Sequence, residues 1–165
     1  MKKIITYFST AVGLLLIIVS CTTSRSSKGK EENKPWLTIE KTSCYGSCPQ
    51  YHLAIYPNRV VIYKGRRFVK NIGTFEKKLS KAKISQIQQQ IIDYAFFEFE
   101  EVYDNEGISD LPSVILYCRL NGKEKKVKAR MNVPPTFLQL VNRIENLIGE
   151  EGYKPLFTAT KNAQE

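Results

Sequence analysis

From residue 36 onward, apolar and polar side chains alternate. WLTIEKTS (residues 36–43) sets Leu37 and Ile39 against Thr38 and Glu40, the period of two that marks a half-buried strand. YHLAIY (51–56) repeats the pattern with Tyr51, Leu53 and Ile55 on one face, and RVVIY and RFVKNIGTFE continue it. Pro57-Asn58-Arg59 reads as a turn, because proline fixes its own φ and asparagine tolerates left-handed backbone; Lys64-Gly65-Arg66 reads as the next. These four segments predict an antiparallel meander.

The period then changes. Ser80 caps a predicted helix carrying Ile84, Ile87, Ile91 and Ala95 at helical spacing, ending near Phe96, Phe97 and Phe99. PSVILYCRL and KEKKVKARM flank Asn121-Gly122, the strongest two-residue hairpin signal in the chain. Counting outward from that turn sets Leu120 opposite Lys123 and Leu116 opposite Val127. Cys118 then shares the apolar face with Val114, Leu116, Val127 and Ala129, as a buried and inert thiol. Pro134-Pro135 opens a second helix with Phe137, Leu140, Val141, Ile144 and Ile148 along one stripe. The expected fold is α+β: about six antiparallel strands in the order meander, helix, hairpin, helix, with both helices on one face of the sheet.

The N-terminus has a different texture. Met1-Lys2-Lys3 precedes an apolar stretch ending at Ser20, the layout of a secretory signal; a single membrane-spanning anchor is the alternative. Ile18-Val19-Ser20-Cys21 resembles the lipobox of bacterial lipoproteins, a likeness that implies cleavage before Cys21 and lipid on that residue. Residues 22–35 (TTSRSSKGKEENKP) hold too little apolar surface to offset the entropy of ordering and read as a tether. The expected organisation is therefore a leader over 1–20, lipidated Cys21 and tether over 21–35, one domain over 36–157 and a disordered tail over 158–165. Thr22 and Thr23 stand where well-studied lipoproteins kept at the inner membrane carry aspartate, so the expected site is the outer membrane, facing the periplasm. The net charge of +9 falls to +7 when Lys2 and Lys3 leave with the leader. In the envelope such an excess suits an acidic protein or an anionic glycolipid rather than nucleic acid.

Candidate chemistry gathers in CYGSCPQYH (residues 44–52). With Cys21 lipidated, three thiols remain in an oxidising compartment, and one helical turn would bring Cys44 and Cys48 within disulfide range. Pro49 pushes Cys48 toward extended backbone, so a strand can begin directly after such a staple. Two other readings stay open. Cys-x3-Cys-Pro also occurs in copper-delivering Sco proteins, and that likeness implies a copper or zinc site in which Cys44, Cys48 and His52 are the ligands. A thiol–disulfide exchanger would use the same cysteines, although the motif shows no cationic neighbour to lower a thiol pKa.

LTIEKTSCYGSCPQYHLAIYPNRVVIYKG, with Asp110-Leu111-Pro112 and the two helices, resembles a family of small uncharacterised bacterial lipoproteins that share a domain of unknown function. Its mark is Cys-Phe/Tyr-Gly-x-Cys-Pro-x-Tyr, and the likeness covers about residues 37–150. It implies an exported domain and supplies no activity. Two departures stand out: the first turn holds Asn58-Arg59 where the resemblance implies glycine, and Cys118 lies outside the shared pattern.

The polar face of the second hairpin carries Arg119, Lys126, Lys128 and Arg130 with Tyr117, a candidate binding patch for phosphate or carboxylate and otherwise a solvated sheet face. Residues 84–118 hold no Lys or Arg but include Asp93, Glu98, Glu100, Glu101, Asp104, Glu106 and Asp110. DNEGISD has its glycine misplaced for an EF-hand. The one histidine lacks a nucleophile-elbow partner, and loop acids without a cleft are weak grounds for acid–base work. The expectation is a non-catalytic envelope lipoprotein, a binding or structural module without cofactor; the alternative is the thiol-redox or metal-binding factor.

Overall fold

A computed structural model describes residues 34–104, 107 and 110–156. The expected leader, Cys21, most of the tether and the expected tail lie outside the described residues. The strands are β1 (Leu37–Lys41), β2 (Gln50–Ile55), β3 (Val60–Arg67), β4 (Gly73–Lys78), β5 (Val102–Tyr103), β6 (Val114–Leu120), β7 (Lys123–Ala129) and β8 (Lys154–Pro155). Helix α1 (Lys81–Asp93) follows β4 and α2 (Pro135–Ile148) follows β7. All these strands join one sheet in the order β5-β7-β6-β1-β2-β3-β4-β8.

The meander, helix, hairpin, helix order stands, and the sheet is larger and mixed. Among the described residues eight strands replace the expected six, and β5 runs parallel to β7. The two additions, β5 and β8, have two residues each and sit at the edges, too short to show alternation. The hairpin register follows the turn chemistry: Leu120 pairs with Lys123 and Leu116 with Val127, around Asn121 and Gly122 at φ 53° and 75°.

Two local readings are corrected. The expected turn at Lys64-Gly65-Arg66 lies inside β3, where Gly65 pairs with Tyr51 on one side and Gly73 on the other. The chain reverses at residues 68–72, and a Cβ on Gly65 would collide with the Asn71 carbonyl. Glycine is there for room, not for a turn. The apolar stripe of α1 stops at Ile91: Ala95 lies past the helix end, exposed, at φ 49°. The first turn places Arg59 at φ 70°, the left-handed position a glycine would fill. Its carbonyl accepts from the Leu79 N–H, and its Nη1 donates to the Leu79 carbonyl at 3.3 Å.

One core runs through the described residues. Leu37, Ile39, Leu53, Ile55, Val61, Leu116, Cys118 and Val127 project from the central strands to meet Ile87 and Ile91 of α1 and Phe137, Leu140, Val141, Ile144 and Ile148 of α2. Ser80 accepts from the Lys83 N–H and starts α1 as expected.

Candidate functional site

Cys44 and Cys48 stand at disulfide distance, with α-carbons 5.8 Å apart. The Gly46 N–H donates to Cys44 Sγ at 3.2 Å, and the Tyr45 N–H faces the Asp110 carbonyl at 3.5 Å. Tyr45 itself points outward, 92% exposed. His52 lies half-buried in β2, paired with Glu40 on one side and Lys64 on the other. Burial lowers its pKa, Glu40 opposes this, and Lys64 and Arg66 add to it. Among the described residues, no group of three His, Cys, Asp or Glu side chains could hold a metal ion. Cys118 is fully buried, and burial pushes its thiol up to about 12.

The four basic hairpin residues sit in different surroundings. Lys126 is exposed, whereas Lys128 Nζ lies 3.3 Å and Arg130 Nε 2.5 Å from the Asp104 carboxylate. Arg119 stands opposite Glu124 in the hairpin register, and Glu124 hydrogen-bonds Tyr117; burial above all, then that bond, raises the Tyr117 pKa. The short parallel strand β5 makes the Asp104 pairing possible, because it lays the end of the acidic stretch beside the most basic strand. Opposite charges distant in sequence are thereby brought into contact.

A cavity of about 590 Å³ opens between the sheet and the C-terminal end of α2. Its floor is polar. The Tyr51 hydroxyl donates to Glu145 of α2, and Lys41 Nζ lies 2.9 Å from the same carboxylate and 5.4 Å from the Tyr51 ring centroid. Its wall is aromatic: the Tyr63 ring sits 5.5 Å from both Tyr51 and Tyr153. Phe68, Lys70, Asn71 and Asn146 form the lip. Tyr51 and Tyr63 reach one wall because β2 and β3 place alternate residues on the core face, with Tyr63 opposite Leu53.

Lys77 secures the far side. Its Nζ donates to the carbonyls of Ile148 (2.6 Å), Gly149 and Glu151 (3.1 Å), groups at and just beyond the end of α2. It also lies 4.1 Å over the Tyr153 ring. Burial, with Lys83 nearby, pulls its pKa down to about 8. Burial raises the pKa of Tyr63, with Glu150 adding, and also that of Tyr153, so both hydroxyls stay protonated at neutral pH. The arrangement suits a ligand with a flat apolar face and a polar edge. A second recess of about 480 Å³ lies beside Tyr94, Glu98, Glu100 and Tyr103.

Sequence reasoning missed the cavity. Tyr51 and Tyr63 look like ordinary strand positions, and Tyr153 follows a helix with no pattern around it. The available hint was the presence of tyrosine, rather than an aliphatic residue, at in-phase core positions of adjacent strands.

A family model described as a domain of unknown function (DUF6438) matches residues 35–148. That span covers well over half the chain, from just before β1 to the last residue of α2, and it includes Cys44, Cys48 and the cavity floor. No curated protein and no solved structure matches the chain.

Proposed function

The chain belongs to the DUF6438 family, and from that premise we propose that it is a non-catalytic cell-envelope lipoprotein whose domain binds a small ligand or chain end in the tyrosine-walled cavity. Cys21 is the lipidated N-terminus of the mature protein, held at the outer membrane and facing the periplasm, with the domain on a tether. The observation that carries the binding role is the cavity. About 590 Å³ is in the range of small-ligand sites, and the flat apolar walls stand over a fixed Lys41–Glu145–Tyr51 floor. The lipidated anchor rests on the sequence of residues 1–21.

Two measurements test this. The full chain, extracted from envelope membranes in mild detergent, is examined by native mass spectrometry beside Asn146→Trp, which fills the cavity from an exposed lip position. A small-molecule adduct on the wild type that the variant loses, at unchanged melting temperature, supports the reading. An adduct kept by the variant, or none on either protein, overturns it. For the anchor, a fatty-acid analogue should label the wild type and not Cys21→Ser; equal labelling sinks the lipoprotein assignment.

A further inference from the structure

The two ends of the sheet differ in what they present to solvent. β1 runs from Leu37, beside Ile55 and Cys118, to Lys41, beside Tyr51 and Val114. The described chain enters at the Leu37 end, where the tight turns at residues 56–60 and 121–122 also lie. The other end, about 13 Å away along β1, carries the Cys44–Cys48 loop, the 68–72 reversal and the segment before Ser113. The first two are neighbours, since Gln50 pairs with Arg67 and Pro49 shares a cavity with Phe68.

Large apolar side chains protrude there. Tyr45 is 92% exposed, Ile72 68% and Phe68 48%. Arg66, Arg67 and Lys70 lie among them, with the Arg67 guanidinium 5.5 Å over the Phe68 ring and Arg66 Nη1 3.6 Å from the Glu40 carboxylate. The Cys44–Cys48 closure holds Tyr45 on a short loop, so little loop entropy is lost when its ring meets a partner.

We propose that this end of the domain docks on an anionic bilayer surface, with Tyr45, Phe68 and Ile72 entering the headgroup region and Arg66, Arg67 and Lys70 facing lipid phosphates. Exposed apolar side chains interspersed with the cations Arg66, Arg67 and Lys70 match the composition of interfacial membrane contacts, and that positive charge is complementary to anionic headgroups. The docking end lies opposite the point of chain entry, so a chain anchored through its N-terminus can reach a second membrane or turn back onto its own. This inference does not depend on the cavity having a ligand.

The full chain carrying Tyr45→Trp is placed through its N-terminal segment either in phosphatidylcholine vesicles mixed with phosphatidylglycerol vesicles, or directly in phosphatidylglycerol vesicles. Trp36 is buried at the far end and supplies a constant background. A blue shift in the emission of the introduced indole in either arrangement supports docking, and capture of the second vesicles identifies the bridging form. Arg67→Gln and Lys70→Gln should each weaken the effect about fivefold. Phe68→Ser with Ile72→Ser should remove most of it, whereas Lys123→Gln with Lys126→Gln at the opposite end should change little. Absence of the shift in both arrangements overturns the proposal. So does equal loss on removing the far-end lysines, which would mean adsorption by net charge alone. Melting temperatures of all variants confirm that each is folded.

Discussion

At one end of the sheet, β6 and β7 are joined by Asn121 and Gly122, both at positive φ, and a Cβ on Gly122 would meet nothing within 4 Å. At the other end, Gly65 sits inside a strand, has ordinary backbone geometry, and has no room for a Cβ because Asn71 crosses over it. The same residue type thus serves conformation in one place and space in the other. The first need is written into two adjacent residues. The second exists only because the chain reverses after β3 and folds back onto the strand. One end of the sheet is held by local backbone preference, the other by contacts between segments that the reversal brings together.

Five variants test that contrast. The largest effect is expected from Gly65→Ala, since overpacking against backbone costs about 3 kcal/mol; urea denaturation measures it. A loss below about 1 kcal/mol would mean that the 68–72 reversal yields easily, and the contrast between the ends would fail. Next comes Cys44→Ser with Cys48→Ser, which opens a loop of sequence separation 4. So short a closure should contribute about 2 kcal/mol, leaving a protein that still folds. Intact mass before and after thiol alkylation should show these two cysteines blocked in the wild type.

At the tight-turn end the costs should be smaller. Gly122→Ala imposes left-handed backbone on a residue with a Cβ in otherwise open space, for about 1 kcal/mol. A much larger loss would show that the turn carries tertiary contacts after all. Smallest is Lys126→Gln on the exposed face of β7, within about 0.5 kcal/mol of wild type. Arg130→Gln serves as its counterpart: Arg130 is paired with Asp104 and its side chain is only 16% exposed, so it should cost measurably more. Equal melting temperatures for the two would mean that the Asp104 pairing contributes nothing.

These differences explain what could be read in advance. Ser80, the Ile87/Ile91 stripe, the five buried positions of α2 and the hairpin register all appear in the residues themselves, because helical period, capping and an Asn-Gly turn are properties of short segments. Cys44 and Cys48 belong to the same class, since four residues of separation already bring them near each other. Ala95 shows the limit of periodicity: it keeps the spacing of the stripe, yet the helix has ended before it.

The order and type of the main elements, the phase of the long strands and the identity of the core can all be read from the residues alone. The tertiary structure decided the rest. It added β5 and β8 as edge strands, turned Gly65 from a turn residue into a spacer, and gave Arg130 and Lys128 to Asp104. It also built the cavity from Tyr51, Tyr63, Glu145 and Tyr153. Each of these depends on a partner outside the residue's own element or on a strand too short to have a period. Local patterns record which face a side chain takes; what it meets there depends on how separate segments are brought together by burial of the common core.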